Sequence, residues 1–370
     1  MPETEDENCF KFLMTLAKEA VCIASPNPRV GCMLVAADGK LLGAGHTQQA
    51  SGPHAEIMAL RDAATLGHSV QGATAYVTLE PCSHHGRTGP CCDALIAAGI
   101  KKVVASIADP NPLVSGQGFA RLRAAGIEVQ VGPGAAESRE LNIGFFSRMI
   151  RKTPWVRMKI AASLDGTTAL ANGQSQWITS PEARADGHAW RARSCAVLTG
   201  IGTVLQDNPR LDVRLVETAR QPYRVIVDSR LQTPPEAAIF KAGGPVWIYS
   251  ATHDAAKEIA LATMGATVTC LPDAHGKVDL VAMMTDLARR EINELHVEAG
   301  SKLNGSLISA GLIDEFLLYL APKLLGPGSG MASFGPLQAL SDALELQYQS
   351  ADRVGADLRI IARVVGREQF

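Results

Sequence analysis

His54-Ala55-Glu56, then after a helix-length interval Pro81-Cys82, and then Cys91, is the run from which the rest of this 370-residue chain can be read. One imidazole and two thiols make a donor set for Zn²⁺, and three protein ligands leave a fourth position open for water. The metal acidifies that water into a nucleophile for an amidine-like carbon. A Glu two residues beyond the His, kept off the metal, is placed to move protons between the water and a departing amine, as deamination requires. The spacing departs from the common Pro-Cys-x-x-Cys pattern, because eight residues separate Cys82 and Cys91. Cys92, His84 and His85 are alternative donors on sequence alone, although Cys91 and Cys92 can hardly both reach one ion.

The surrounding pattern places these residues on elements. Ala55 to Leu66 reads as a helix stopped by Gly67, with His54 and Glu56 near one end. Ala75 to Leu79 reads as a strand that delivers Pro81-Cys82, and Asp93 to Ala98 as a helix just after Cys91. Both thiols are then expected at helix N-termini, where the dipole favours thiolate. Phe10, Leu13, Met14, Ala17 and Val21 recur at helical spacing, and Ser25-Pro26-Asn27-Pro28 ends that helix. Val30 to Val35 and Leu41 to Ala44 form a strand pair around Asp38-Gly39. A strand at Lys102 to Ala105, a helix around Gly118 to Ala125 and a strand at Ile127 to Val131 complete an alternation that predicts a layered α/β domain.

Gly132-Pro133-Gly134, a polar helix and Arg151-Lys152-Thr153-Pro154 punctuate the chain next. The boundary falls between about 145 and 154, giving domains of 1–147 and 148–370. A second α/β series begins at Trp155. Its strands are expected at Val156 to Ala162, Ala196 to Leu198, Arg224 to Val227, Val246 to Tyr249, Thr267 to Cys270, Leu295 to Val297 and Glu315 to Leu320. Helices are expected at Pro181 to Arg193 and Val278 to Glu291, among others. Val297-Glu298-Ala299-Gly300-Ser301 brings a carboxylate out of a strand into a Gly turn, and a helix begins near Ser301. Free backbone N–H groups there suit a pyrophosphate, but an ordinary tight strand-to-helix turn looks the same, and the dinucleotide fingerprint G-x-G-x-x-G is missing.

Composition narrows the class. The chain is 46% hydrophobic and 19% charged with net charge −2, so no basic field points to nucleic acid or anionic membrane. Aromatic residues make up only 5%, too few for a base-stacking platform. The acidic start Met1-Pro2-Glu3-Thr4-Glu5-Asp6-Glu7 is unlike a secretory signal, and no apolar run reaches the ~18 residues of a spanning helix. Eight cysteines are scattered without disulfide-framework spacing. A reduced, cytoplasmic setting is the expectation.

The segment Thr78-Leu79-Glu80-Pro81-Cys82-Ser83-His84-His85-Gly86-Arg87-Thr88-Gly89-Pro90-Cys91 resembles the bifunctional deaminase/reductase family of riboflavin biosynthesis, whose cysteines have this longer spacing. The resemblance extends over nearly the whole chain. Gly89-Pro90, where the family usually has two prolines, is a small departure. What the resemblance implies for the first half is a cytidine-deaminase-like three-layer α/β/α domain holding one Zn²⁺ per chain through His54, Cys82 and Cys91, with Glu56 as proton shuttle. The loop between the cysteines is flexible and cationic, suited to a substrate phosphate through His84 and Arg87. Asn27 and His46 match positions lining the family's deaminase pocket; alone they read as a turn Asn and a surface His.

For the second half the resemblance rests on Lys159-Ile160-Ala161-Ala162-Ser163-Leu164-Asp165-Gly166, Ser175-Gln176-Trp177-Ile178-Thr179-Ser180 and the run from Gly200 to Pro209. It implies a dihydrofolate-reductase-like α/β domain that uses NADPH. Cofactor contacts are implied at Ala161, Trp177, Thr203, Asp207, Ser229 and the turn Gly300, Ser301, Lys302, Leu303, Asn304, Gly305 and Ser306. Without it, Trp177 reads as core. Substrate contacts are implied at Ser175, Arg191, Leu211, Arg214 and Glu298, with Arg191 and Arg214 as phosphate clamps because guanidinium groups bind phosphate bidentately. Lys159 and Glu298 are the candidates for orientation and proton supply. The expected substrate is a small phosphorylated pyrimidine, deaminated first and reduced at its ribose second, and the family suggests a homodimer or homotetramer formed through the reductase domain. Two rivals remain: another nucleobase deaminase fused to an NADPH-binding reductase, and a zinc-dependent nucleotide-binding regulator, which has no use for Glu56.

Overall fold

The computed structural model describes residues 5–84, 89–112 and 114–370. The chain divides into two compact units, Met1–Arg151 and Lys152–Phe370. The expected 147/148 division lies inside a helix that runs from Ile143 to Arg151.

The first unit contains α1 (Glu5–Glu19), β1 (Gly31–Val35), β2 (Leu41–His46), α2 (Ala55–Thr65), β3 (Thr74–Val77), α3 (Cys91–Ala97), β4 (Lys102–Ala105), α4 (Gln117–Ala124), β5 (Glu128–Val131), α5 (Ala135–Leu141) and α6 (Ile143–Arg151). Its sheet has the order β2-β1-β3-β4-β5, with β1 antiparallel to both neighbours and β3, β4 and β5 parallel. Glycines let helices sit directly on both faces. A Cβ on Gly31 would stand 2.5 Å from the carbonyl oxygen of Leu13, so α1 covers that face. Gly43 and Gly45 point the other way, and Cβ atoms there would meet Ala59 and Met58 of α2 at 2.5 and 2.4 Å. Phe10 and Leu13 close a core over Met33, Val35, Tyr76 and Val104 on the α1 side. The result is the layered α/β domain expected from the alternation, in the three-layer form that the resemblance implies.

The second unit contains β6 (Trp155–Ser163), β7 (Thr167–Leu170), α7 (Pro181–Arg193), β8 (Ala196–Gly200), α8 (Ile201–Asp207), β9 (Tyr223–Val227), β10 (Val246–Ser250), α9 (Ala255–Thr263), β11 (Ala266–Cys270), α10 (Leu280–Arg289), β12 (Glu294–Val297), α11 (Ser301–Ser309), β13 (Glu315–Ala321), β14 (Gly328–Gly330), β15 (Leu346–Val354) and β16 (Asp357–Val364). Nine strands lie in the order β11-β10-β9-β8-β12-β6-β13-β16-β15. Those from β11 to β13 are parallel, and β16 and β15 add an antiparallel pair. The small β7–β14 ribbon stands apart. Local chemistry starts two helices: the side chains of Ser180 and Asp279 accept the backbone N–H groups of Ala183 and Ala282, and Pro181 occupies the first turn of α7.

One face of β12 is apolar. Leu295 and Val297 pack with Met158 and Leu198 against Met283, Met284 and Leu287 of α10 and Leu307 of α11. The other face carries Glu294, His296 and Glu298 under α7. There Glu294 pairs with buried Arg157 at 3.0 Å and with Arg193 at 2.8 Å, and Glu315 pairs with Arg363 at 3.0 Å. Trp190 of α7 lies on the Arg157 guanidinium, 4.4 Å from ring centroid to Cζ. A charged stripe thus runs along a strand whose reverse side is hydrophobic, and it leads to the end of the strand where Glu298 emerges.

Candidate functional site

In the first unit the strand pairing gathers the predicted residues at one end of the sheet. Gly31 at the start of β1 pairs with His46 at the end of β2. The N–H of Gly31 bonds the Thr78 hydroxyl, and Thr78 N–H bonds the Gly31 carbonyl, so the chain leaving β3 toward Cys82 sits beside them. Asn27 lies in the loop that enters β1 after the cis Ser25–Pro26 bond. His54 is the N-cap of α2, and Glu56 sits in the first turn, buried.

Cys91 is the first residue of α3, and its backbone N–H donates to Cys82 Sγ at 3.3 Å. Both thiols therefore meet one helix N-terminus. His54 Nδ1 stands 3.6 Å from Cys82 Sγ and 3.3 Å from Cys91 Sγ, and the three donor atoms all lie within 4.8 Å of one another. Tetrahedral zinc with ordinary Zn–N and Zn–S bonds sets its N and S ligands about 3.6 Å apart, close to both imidazole-to-thiol separations here. No other such cluster of His, Cys, Asp and Glu occurs among the described residues.

Cys92 is turned away from the cluster: its thiol donates to the carbonyls of Pro81 at 3.2 Å and Gly118 at 3.5 Å. His84 is half-buried and takes no part in the cluster, while His85 and Arg87 lie outside the described residues. The electrostatics suit metal chemistry. Hydrogen bonding from Cys91 and from His54 lowers the Cys82 thiol to about 4, and the Cys91 thiol, as donor to Cys82, is raised. Burial, then the neighbouring Cys82, raises Glu56 from the ordinary carboxylate range.

Two carboxylates that sequence reasoning missed frame this site. Glu80 is buried and accepts four backbone N–H groups, from Asp109 at 3.1 Å, Gly116 and Gly118 at 2.9 Å and Phe119 at 3.2 Å. It staples the 109–119 segment to the residues preceding Cys82. Asp109 is buried as well, and burial above all raises it to about 7, with the charges of Glu80, Cys82 and His54 acting on it. The available signal was Leu79-Glu80-Pro81, a carboxylate inside an apolar strand end, since a buried Glu must find donors.

In the second unit the predicted residues collect at the carboxyl ends of the parallel strands, where open α/β sheets bind ligands. Ala161 lies near the end of β6, Thr203 and Asp207 on α8 after β8, Ser229 after β9, and Gly300 caps α11 after β12. A Cβ on Gly200 would meet Leu303 at 3.1 Å, so the starts of α8 and α11 stand side by side. Within the predicted turn, Ser301 is half-buried and Lys302 and Ser306 are exposed, whereas Leu303, Asn304 and Gly305 face inward. Asn304 donates to the carbonyl of Met331 at 2.9 Å, and Gly305 abuts the backbone of Ser333. Ser175 is half-buried beyond β7. Trp177 is 62% exposed with Arg184 stacked on its ring at 4.5 Å, which rules out the core reading and leaves the ring free to meet a ligand.

Glu298 is the hub of a charged cluster at the carboxyl end of β12. It takes a bidentate pair from Arg191, whose Nη2 is 2.8 Å from Oε2, and lies 3.9 Å from Lys159 Nζ and 3.4 Å from His296 Nε2. Burial opposes its ionisation, but Arg191 and Lys159 outweigh burial and hold it well below the usual carboxylate range. Burial, together with Arg191, pushes the Lys159 ammonium down. Leu211 is buried, and Arg214 presents its backbone N–H to His188 Nδ1 at 3.2 Å.

Fold and site together define a two-unit enzyme, a zinc-site α/β/α unit followed by a unit whose parallel sheet gathers polar and charged side chains at its carboxyl ends. Residues 3–107 match the model of the cytidine and deoxycytidylate deaminase zinc-binding region, and residues 154–360 match the RibD C-terminal domain. The riboflavin biosynthesis protein RibD of Escherichia coli is 45% identical over 369 residues, covering 96% of this chain and 98% of that protein. Among solved structures, RibD of Acinetobacter baumannii superposes with a TM-score of 0.86 at 38% identity, covering 97% of this chain and 98% of its own. A Thermotoga maritima protein, described as a diaminohydroxyphosphoribosylaminopyrimidine deaminase/5-amino-6-(5-phosphoribosylamino)uracil reductase, follows with 0.84, 32%, 97% and 98%. The chain belongs to the RibD family of riboflavin biosynthesis proteins. It is an enzyme with a deaminase and a reductase activity, and its cofactors are zinc and NADPH.

Proposed function

We propose that the first unit, residues 1–147 with the rest of α6, removes the C2 amino group of 2,5-diamino-6-(5-phosphoribosylamino)pyrimidin-4(3H)-one, and that the second reduces the ribosyl group to ribityl, giving 5-amino-6-(5-phosphoribitylamino)uracil. The observation that carries the reading is the convergence of His54, Cys82 and Cys91 within 4.8 Å beside a buried Glu56. His54, Cys82 and Cys91 would hold the ion, which when bound supplies the Lewis acidity that makes water a nucleophile at neutral pH. Water adds to C2 of the pyrimidine. Glu56 takes its proton, passes it to the adjacent ring nitrogen, and then serves the amino group as the C2–N bond breaks and ammonia departs. A carboxyl raised by burial is matched to giving as well as taking a proton. Asn27, His46, His84 and Arg87 are assigned to the pyrimidine and its phosphate.

In the second unit, bound NADPH supplies hydride, and Ala161, Trp177, Thr203, Asp207, Ser229 and the stretch from Gly300 to Ser306, which is the cap and first part of α11, are assigned to hold it. The opened ribose presents C1 as an imine carbon. Its nitrogen must gain a proton as C1 gains hydride, and Lys159, its ammonium pushed down by burial against the opposing pull of Glu298, is placed to give one. Arg191 and Arg214 are assigned to the substrate phosphate, with Ser175 and Leu211 lining the same crevice. No helix among the described residues is long and apolar enough to cross a membrane, and we assign the chain to the cytoplasm. We further assign a homo-oligomer formed through the reductase unit, on the strength of Leu324, Leu340 and Tyr348, which are 75%, 96% and 73% exposed.

The test is a coupled assay on the diamino pyrimidine phosphate with and without NADPH, alongside metal analysis. About one zinc per chain is expected. Glu56→Gln should abolish ammonia release while NADPH oxidation with the deaminated substrate continues. Ammonia release by that variant at the parent's rate would refute the assignment of Glu56.

A further inference from the structure

The segment Arg210-Leu211-Asp212-Val213-Arg214 is held in a single conformation by contacts on several sides. Leu211 lies in the left-handed region at φ 53° with its side chain buried. A branched residue there costs free energy and persists only where the surroundings impose it. Val213 exchanges both backbone hydrogen bonds with the Gln221 amide, at 2.7 and 2.9 Å. The carbonyl of Asp212 accepts Arg191 Nη1 at 3.0 Å, and Arg214 N–H is held by His188. The side chains are fixed too. Asp212, whose carboxylate is only 6% exposed, accepts Arg210 Nε at 2.8 Å on one oxygen and Arg214 Nη1 at 2.7 Å on the other. The two arginine side chains it joins are 52% and 48% exposed.

One buried carboxylate therefore holds the guanidinium groups of two half-exposed arginines, with Arg191 on the backbone carbonyl of the same residue. We propose that Arg210 is a third guanidinium of the reductase unit's phosphate cradle, and that Asp212 is the positioning residue that sets Arg210 and Arg214 to receive one phosphate monoester. The proposal rests on the assignment of the substrate phosphate to Arg191 and Arg214 made above. Charge supports it. Lys159, Arg191, Arg210 and Arg214, with buried Arg224 acting on Asp212 and Arg210, outnumber the two carboxylates Asp212 and Glu298, so the cluster is net positive. His188 adds none near neutrality, since burial and then the arginines lower it to about 4. A phosphate monoester carries nearly two negative charges at pH 7. Guanidinium forks already fixed by a carboxylate lose little side-chain entropy when they bind it.

The experiment compares the deaminated substrate with and without its 5′-phosphate, following NADPH oxidation by the full-length enzyme and by the variants Arg210→Gln, Arg214→Gln and Asp212→Asn. The readout is the ratio of kcat/KM for the phosphorylated over the dephosphorylated substrate, which loss of fold or of cofactor binding does not change. Arg210→Gln is expected to lower that ratio about tenfold, equivalent to about 1.4 kcal/mol, and Asp212→Asn to lower it as well. If Arg214→Gln lowers the ratio and Arg210→Gln leaves it at the parent's value, the third guanidinium is refuted while the phosphate assignment stands. If neither arginine variant moves it, the phosphate assignment itself falls and this proposal with it. An unchanged ratio in Asp212→Asn refutes the positioning role.

Discussion

Gly45→Ala is a one-carbon test of how the zinc site is held. Gly45 lies in β2 with ordinary strand dihedrals, so alanine adds no backbone strain, and its effect is steric. The new Cβ would stand 2.4 Å from Met58 Cβ and 2.8 Å from Ala59 N, whereas ordinary contact begins at 3.4 Å. Both atoms belong rigidly to α2, so relief requires the helix to move outward by about 1 Å. That helix carries His54 as its N-cap and Glu56 in its first turn, two residues before Met58. Cys82 comes from the loop after β3 and Cys91 from the start of α3, so neither is carried on α2. A displacement of about 1 Å between a catalytic group and its partners is worth about 10²-fold in rate, and overpacking of this kind costs about 1–3 kcal/mol in stability. We therefore expect ammonia release to fall about a hundredfold, zinc to bind more weakly, and the first unit to unfold at lower temperature. NADPH oxidation with deaminated substrate serves as internal control because it belongs to the other unit. A folded Gly45→Ala protein with the parent's kcat/KM for deamination would show that the seat of α2 on β2 does not set the geometry of the site.

Two further outcomes test the second unit. Lys159→Ala and Glu298→Gln are each expected to lower kcat for NADPH oxidation by about 10²–10⁴; an unchanged kcat in both would remove them from proton supply and orientation. His188, buried and lowered to about 4, should make the reductase unit acid-sensitive. Its folded pKa lies below the unfolded value of about 6.5, so the unfolded chain binds more protons between those values. Stability is then fully present above pH 6.5 and is lost progressively as pH drops toward 4. Denaturant titrations at pH 7 and pH 5 should show His188→Gln losing less than the parent; equal losses would refute this.

Much of the architecture was legible because it is local. Ser180-Pro181 and Asp279 announce the starts of α7 and α10, Asp38-Gly39 turns the β1–β2 hairpin, and buried parallel strands such as Ala196 to Leu198 read as short apolar runs. β15 was missed for a physical reason: it is an edge strand, exposed along most of Leu346–Val354, and Gln347, Ser350, Asp352 and Arg353 give it no buried face to betray it. The metal donors were legible because residue type alone restricts them. Their convergence still needed the fold, in which antiparallel pairing of Gly31 with His46 and the Thr78 bonds to Gly31 bring the ends of β1, β2 and β3 together.

The harder cases are Glu80 and Glu298, which the sequence presents in nearly the same way. Leu79-Glu80-Pro81 and Val297-Glu298-Ala299 each carry a carboxylate out of a buried strand into a turn. Their partners separate them. Glu80 receives only backbone N–H groups, four of them, from a segment about thirty to forty residues away, and these satisfy both oxygens without any mobile cation. Nothing is left on it for a ligand to compete for, so its work is to hold one stretch of chain against another. Glu298 faces side-chain cations, Arg191 and Lys159, at the carboxyl end of its strand. Cations on rotatable side chains can exchange a carboxylate for a substrate group, and a lysine lowered by burial can part with a proton. Backbone donors can do neither. The kind of donor around a buried carboxylate, visible only after folding, decides which of two similar glutamates builds the scaffold and which meets the substrate.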